Sequence, residues 1–158
     1  ELPEPDDDVE AEQMEIAQSL LTAAGFERYE VASYAKPGFA CRHNIAYWTG
    51  VPYLGIGTSA ATMTQNSERR MRMTDGSVTD DLNAAQMIAE DLMLGMRMTR
   101  GVSGEKIAEA RLVLPRLDET IDELVEEGLA AWSEGRLCPT ERGWLLGNEL
   151  YGALFDLA

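Results

Sequence analysis

Histidine occurs once in this chain, as His43, and cysteine only as Cys41 and Cys138. Two cysteines so far apart build no disulfide scaffold and fit a reducing, cytoplasmic compartment. Basic residues are scarce as well: 13 Lys and Arg stand against 28 Asp and Glu, a net charge of −15. Such a surface repels phosphate, which excludes nucleic acid and anionic lipid headgroups as natural partners. No apolar run approaches the ~20 residues of a membrane span. No charged segment followed by an apolar stretch marks a signal peptide. With 45% apolar and 26% charged residues the composition is that of a globular chain. A chain of this length buries roughly 68–70% of its unfolded surface, enough for one good core or two small ones.

Periodicity divides what is present into two halves. An acidic, Pro-broken entry at Glu1-Leu2-Pro3-Glu4-Pro5 leads into an amphipathic helix over Glu10–Ala24, with Met14, Ala17, Leu20, Leu21 and Ala24 packing inward and Gly25 as its stop. Tyr29–Tyr34 alternates as a strand, and Lys36-Pro37-Gly38 forces a turn. Residues 39–52 read as irregular. Tyr53–Met63 reads as a strand whose Gly55 and Gly57 permit close approach of another group. Glu68–Met73 reads as a short strand, and Thr74-Asp75-Gly76-Ser77 carries turn chemistry and marks a boundary.

Beyond that turn the pattern becomes helical. Asp80 or Asp81 N-caps a helix running to Met98, with Leu82, Ala85, Ile88, Ala89, Leu92 and Met96 inward. Met87, Met93, Met96 and Met98 read as core filler. Ser103 caps a helix to Leu112, and Leu114–Glu127 forms another ending at Gly128. Leu129–Trp132 and Arg136–Cys138 flank Ser133-Glu134-Gly135 as a hairpin, and Thr140 opens a last helix with Trp144, Leu145, Leu150 and Leu154. Helix, helix, two-strand wing, helix is winged-helix-like. The helix where a DNA reader would place its recognition surface, residues 115–127, carries six acids and one arginine. It is therefore a packing or partner-binding module. The fold class is α+β.

The hexapeptide His43-Asn44-Ile45-Ala46-Tyr47-Trp48 concentrates the chemistry. A neutral imidazole is a common axial ligand of haem iron, and a flat macrocycle favours aromatic neighbours. Around it, in one order, stand Gly25-Phe26, Tyr29-Glu30-Val31, Tyr34-Ala35-Lys36-Pro37-Gly38, Arg42-His43-Asn44-x-x-Tyr47-Trp48 and Tyr53-Leu54-Gly55-Ile56-Gly57. That series resembles the radical S-adenosylmethionine family of oxygen-independent coproporphyrinogen III oxidases, and most closely its haem-chaperone branch.

The resemblance implies that His43, Asn44, Tyr47 and Trp48 bind haem, with His43 on the iron. It also implies that Gly55, Gly57, Ser59 and Ala60 lie beside S-adenosylmethionine or the porphyrin. Family members hold a [4Fe-4S] cluster on Cys-x-x-x-Cys-x-x-Cys, which this chain lacks. The chain accordingly reads as a C-terminal part of a longer protein. Residues 1–75 would be the end of the radical-enzyme barrel region, a partial β/α layer. Residues 80–158 would be the winged-helix-like module, which can serve protein interaction alone. Barrel edges left without neighbours imply self-association as a homo-oligomer or marginal stability. Two functions follow from the resemblance: delivery of haem to acceptor proteins, or oxidative decarboxylation of porphyrinogen propionates in porphyrin biosynthesis. The chain departs from the haem-chaperone pattern at Ala32-Ser33, at Thr58, Ser59 and Ala61, where a second imidazole is usual, and at Cys41, where serine is common. Cys41 reads as a small passive residue rather than as a thiolate ligand.

Overall fold

The computed structural model describes residues 6–158, so the expected entry at Glu1–Pro5 lies outside the described residues. The Asp6 side chain accepts a hydrogen bond from the Asp8 backbone and opens α1 (Asp7–Ala23), whose first turn carries Asp7, Asp8 and Glu10. Acids there complement the helix dipole. The helix starts three residues before the expected Glu10. Its expected inward packing is corrected too. No α1 residue is buried, and Val9, Ile16 and Leu20 are exposed. The helix is tethered by polar contacts instead: Gln18 Nε2 donates to Glu141 Oε1 at 2.8 Å, and Arg28 donates to Gln18 at 3.3 Å. Apolar periodicity reports a face, not what covers it.

The single strand expected over Tyr29–Tyr34 is a hairpin, β1 (Glu27–Glu30) and β2 (Ser33–Ala35), reversing at Val31–Ala32. The reason lies outside the segment. Val31 N–H donates to the Arg97 carbonyl at 2.8 Å, and Glu30 bridges Met98. These contacts hold the chain at the point where a continuous strand would run on. The Lys36–Gly38 turn is present, closed by Phe39 N–H to the Lys36 carbonyl at 2.9 Å.

Residues 39–52 are not wholly irregular, because α2 (Arg42–Trp48) occupies their centre. Its inner face is amide and indole rather than aliphatic, so apolar periodicity does not announce it. The strand expected over Tyr53–Met63 is corrected as well. Tyr53 pairs with Met63 as an isolated bridge, the intervening chain folds back, and β3 begins only at Ala61 (Ala61–Gln65). The close approach expected at Gly55 exists, but it comes from the chain itself: a Cβ there would lie 2.3 Å from the Ala61 carbonyl oxygen.

β3, β4 (Arg69–Thr74) and β5 (Ser77–Asn83) form an antiparallel meander. The helix expected from Asp80 or Asp81 to Met98 is shorter. Asp80 and Asp81 belong to β5, and α3 (Ala84–Gly95) begins at Asn83 in a capping box with Gln86. Both aspartates answer arginines across the sheet, Arg72 to Asp80 at 2.5 Å and Arg69 to Asp81. A carboxylate suits a helix cap and a cross-strand ion pair alike; here the pair wins. The Thr74–Ser77 turn is the tip of the β4–β5 hairpin, Thr74 opposite Ser77, so strand pairing runs across the boundary expected there.

The remaining chain follows expectation closely. β6 (Val102–Ser103) leads into α4 (Gly104–Ala110), whose cap Ser103 accepts from the Lys106 N–H at 3.3 Å. α5 (Leu117–Glu126) is followed by β7 (Ala130–Ser133) and β8 (Arg136–Pro139). Glu134 and Gly135, at φ 50° and 74°, make the tight turn. The wing gains a third strand, in the order β6-β8-β7. The last helix divides into α6 (Glu141–Leu145) and α7 (Gly147–Phe155), because Leu146, at φ −101° and ψ 40°, leaves the helical region. A continuous aliphatic core joins Leu92, Met96, Ile107, Leu117, Leu137, Leu150 and Leu154. Met96 and Met98 are buried in it or beside it, as filler should be.

The meander meets α3 through charge. Arg70, 2% exposed, donates to Glu90 at 2.5 Å, to Asp91 at 2.8 Å and to Gln65 at 2.8 Å. Arg72 reaches Glu90 at 2.8 Å, and Lys106 reaches Asp91 at 3.2 Å. Burial works against the charge on Arg72. Hydrogen bonds and attraction from Glu90 and Asp80 outweigh it and hold the guanidinium protonated beyond the ordinary arginine range.

We expect Arg70→Met to lower stability by about 3 kcal/mol, since breaking a buried pair strands a charge. In urea unfolding, the Arg70→Met, Glu90→Gln double variant should lose less than the sum of the singles; additive losses would show that the two do not act as a pair. Proteolysis should nick the exposed Asp75–Gly76 tip. The two pieces should then co-elute under native conditions, because β4 and β5 remain paired; separation would instead support the division at residues 75–80.

Candidate functional site

α2 is held from one side and open on the other. Asn44 and Trp48, one turn apart, face the hairpin. Asn44 Nδ2 donates to the Tyr29 hydroxyl at 3.2 Å and lies 3.5 Å from Ser33 Oγ. Trp48 Nε1 donates to Glu30 Oε2 at 2.9 Å, and Glu30 is 2% exposed. Arg97 lies over the Trp48 ring at 5.3 Å and over the Tyr151 ring at 4.3 Å, so two cation–π contacts fix the wall behind the helix. The Thr49 hydroxyl donates to the Ile45 carbonyl at 2.8 Å, and buried Gly50, at φ 70°, ends the helix. A Cβ on Gly50 would stand 3.0 Å from the Arg70 guanidinium, so the buried ion network sets where α2 stops.

His43 and Tyr47, also one turn apart, face outward. His43 is exposed and has no hydrogen-bond partner among the described residues. The Tyr47 ring meets Trp48 edge-on at 5.6 Å and stacks on Tyr53 at 5.1 Å. Its phenol is pushed above the ordinary range, first by the hydrogen bond with Tyr53 and then by burial. The four motif residues His43, Asn44, Tyr47 and Trp48 together line an open cleft of about 250 Å³. The structure therefore brings the four residues of the motif to one cleft. The sequence did not separate the two that anchor from the two that are presented.

Gly55, Gly57, Ser59 and Ala60 do not line that cleft. Their loop is bonded within itself and to the neighbouring hairpin tip: Gly55 N–H to Thr62 Oγ1 at 3.0 Å, Ala60 N–H to the Gly57 carbonyl at 3.3 Å, and Ser59 N–H to Asp75 Oδ1 at 3.0 Å. Cys41 stands at the α2 N-cap without a side-chain capping bond, its thiol exposed. Among the described residues no trio of His, Cys, Asp or Glu is placed to hold a metal ion. Sequence reasoning missed Glu30, Tyr29, Arg97 and Tyr53 as supports of the cleft. Tyr29, Glu30 and Tyr53 stood in the resemblance series itself; Arg97 carries no local signal.

Residues 82–146 match the HemN C-terminal domain family. Over 167 aligned positions the chain is 33% identical to the heme chaperone HemW of Bacillus subtilis (strain 168), covering 94% of this chain and 43% of that protein. It is 50% identical over 56 positions to heme chaperone HemW of Escherichia coli (strain K12), covering 35% and 15%. It is 44% identical over 59 positions to the mitochondrial radical S-adenosyl methionine domain-containing protein 1 of Mus musculus, covering 37% and 13%. The chain spans about two-fifths of the length of the curated relatives that it matches over most of its own. No solved structure matches it significantly. No helix among the described residues is long and apolar enough to cross a membrane. Residues 82–146 thus resemble the HemN C-terminal domain, and nearly the whole chain is similar to proteins named heme chaperone HemW.

Proposed function

We propose that this chain is the later part of a haem-handling protein, a cytoplasmic haem chaperone that receives haem and passes it to acceptor proteins. The observation that carries the reading is His43: an exposed, unpartnered imidazole over a cleft walled by its own motif. Ligation needs a ring nitrogen free of competing bonds, and a macrocycle needs a flat aromatic neighbour, which Tyr47 supplies. The donor set therefore fits one axial side of haem. The names of the relatives support the same reading. The oxidase reading leans on Gly55–Ala60, and that segment folds onto its own hairpin rather than into the His43 cleft.

The residues present do not fit an iron–sulfur cluster. Cys41 lies on the edge of α2 and Cys138 on β8, and no cysteine trio exists. The [4Fe-4S] cluster and S-adenosylmethionine belong, in this proposal, to the part of the protein outside these residues. Residues 80–158 serve as the packing or interaction module, and the division from residues 1–75 is proposed as one of role, not of folding unit, since β4 and β5 pair across it. So is self-association of the chain when it stands alone.

Adding haem to the whole protein should shift its Soret band on binding. His43→Ala should weaken that binding at least about tenfold, the loss of a charge- or metal-linked contact being worth more than one wall. Trp48→Phe should weaken it less while lowering stability by about 1–3 kcal/mol, because Glu30 loses its indole donor. The chain by itself should bind poorly, since a flat macrocycle needs walls on both faces. Equal haem affinity in wild type and His43→Ala would return His43 to the status of a surface residue and end the reading.

A further inference from the structure

Tyr53 lies outside the His43–Trp48 hexapeptide, yet it is fixed far more firmly than the tyrosine it touches. Its backbone makes two hydrogen bonds with buried Met63, N–H to carbonyl at 3.1 Å and carbonyl from N–H at 2.9 Å. The Arg72 guanidinium lies beside its phenol, itself held by Glu90 at 2.8 Å and Asp80 at 2.5 Å. Tyr47 has no such support of its own. It sits on the last turn of a seven-residue helix without a side-chain N-cap, and it is 44% exposed. Left alone, a side chain there exchanges rotamers on the nanosecond scale or faster. What selects one orientation is Tyr53: the rings stack at 5.1 Å with 22° between their planes, and the hydroxyl oxygens lie 3.3 Å apart.

We propose that Tyr53 is a positioning residue of the His43 cleft, holding the Tyr47 ring as a fixed flat wall against a planar, carboxylate-bearing macrocycle ligated by His43. This rests on the haem reading above and adds to it how the cleft is made rigid. The hydroxyl pair also sets the chemistry of the wall. One O–H donates to the other oxygen, and the second hydrogen remains free for a ligand carboxylate or water. Tyr47 ionises less readily than an ordinary phenol because of that bond and of partial burial. An iron-binding tyrosine acts as a phenolate, so Tyr47 is wall and donor, and His43 is the ligand from this side. Preorganisation of this kind raises affinity by removing the cost of ordering the wall on binding.

Metal-free protoporphyrin and haem separate the two roles, because protoporphyrin can stack but cannot be ligated. Both should be titrated into the whole protein in wild type, His43→Ala, Tyr53→Phe and Tyr53→Ala. Tyr53→Ala should weaken both ligands about five- to tenfold, the range of an aromatic pair. Tyr53→Phe, which keeps the ring and loses the hydroxyl, should weaken them about twofold to threefold. His43→Ala should weaken haem alone. Alkaline titration of phenolate absorbance without ligand gives a readout independent of haem: in Tyr53→Phe the ionisation of Tyr47 should move down toward that of a free phenol. If Tyr53→Ala does not fold, Tyr53→Phe with this titration decides. Unchanged affinities in the Tyr53 variants that fold, with His43→Ala still weak for haem, overturn the positioning role and leave the haem reading standing. An unmoved phenol titration in Tyr53→Phe overturns the pair itself. Wild type that binds neither ligand overturns the haem reading, and the role of Tyr53 falls with it.

Discussion

The contact on which the rest of this structure depends is the buried pairing of Arg70 with Glu90 and Asp91. A three-stranded meander usually docks on a helix through aliphatic side chains, which tolerate a slip of a residue or a small rotation. Here the docking face presents Gln65, Arg70 and Arg72 beside Met63 and Leu82, so each guanidinium must find its carboxylate. Burying such ions is not in itself a strong source of stability, because desolvation offsets most of the attraction. Its effect is geometric. A register shift in β4 would leave a charge unpaired in the interior, which costs far more than a misplaced methyl group.

From that lock the geometry passes outward by short steps. Gln65, which accepts from Arg70, donates to the Gly50 carbonyl at 3.0 Å and so fixes the end of α2. Arg72 stands next to Tyr53, Tyr53 stacks on Tyr47, and Tyr47 is one turn from His43. On the other side Glu30 and Arg97 fix Trp48, and Arg97 leans on Tyr151 of the helical core. The cleft is thus tied both to the charged sheet and to the aliphatic core, although α2 itself buries no residue.

How much of this was legible in the sequence depends on which force shapes each element. Where turn chemistry and aliphatic packing decide, the reading holds: Ser103 as cap, Gly128 as stop, the tight turn at Glu134-Gly135. Where polar contacts across long sequence distance decide, it does not. Val31 turns because Arg97 accepts its N–H, and Asp80 lies in a strand because Arg72 faces it. α2 gives no apolar periodicity because its inner face is an amide and an indole. The four motif residues come together for a simpler reason. The hexapeptide is contiguous, so its four residues are neighbours in space whatever the chain does, whereas Glu30, Tyr53 and Arg97 reach the cleft only through tertiary structure.

The form of the cleft bears on what it can do with a ligand. A pocket built for chemistry encloses its substrate and excludes water, whereas a carrier must hold and then release. On α2 the residues that fasten the helix and those that are presented are different pairs at the same helical spacing. Asn44 and Trp48 are spent on hydrogen bonds to Tyr29 and Glu30. His43 is left exposed, and Tyr47 is braced from the side by Tyr53 rather than from in front. On the haem reading proposed above, these residues wall one face of a macrocycle and leave its other face to the rest of the protein. Under that reading, the division of inner and outer pairs on one short helix lets His43 and Tyr47 meet and release a ligand while Asn44 and Trp48 keep the helix in place.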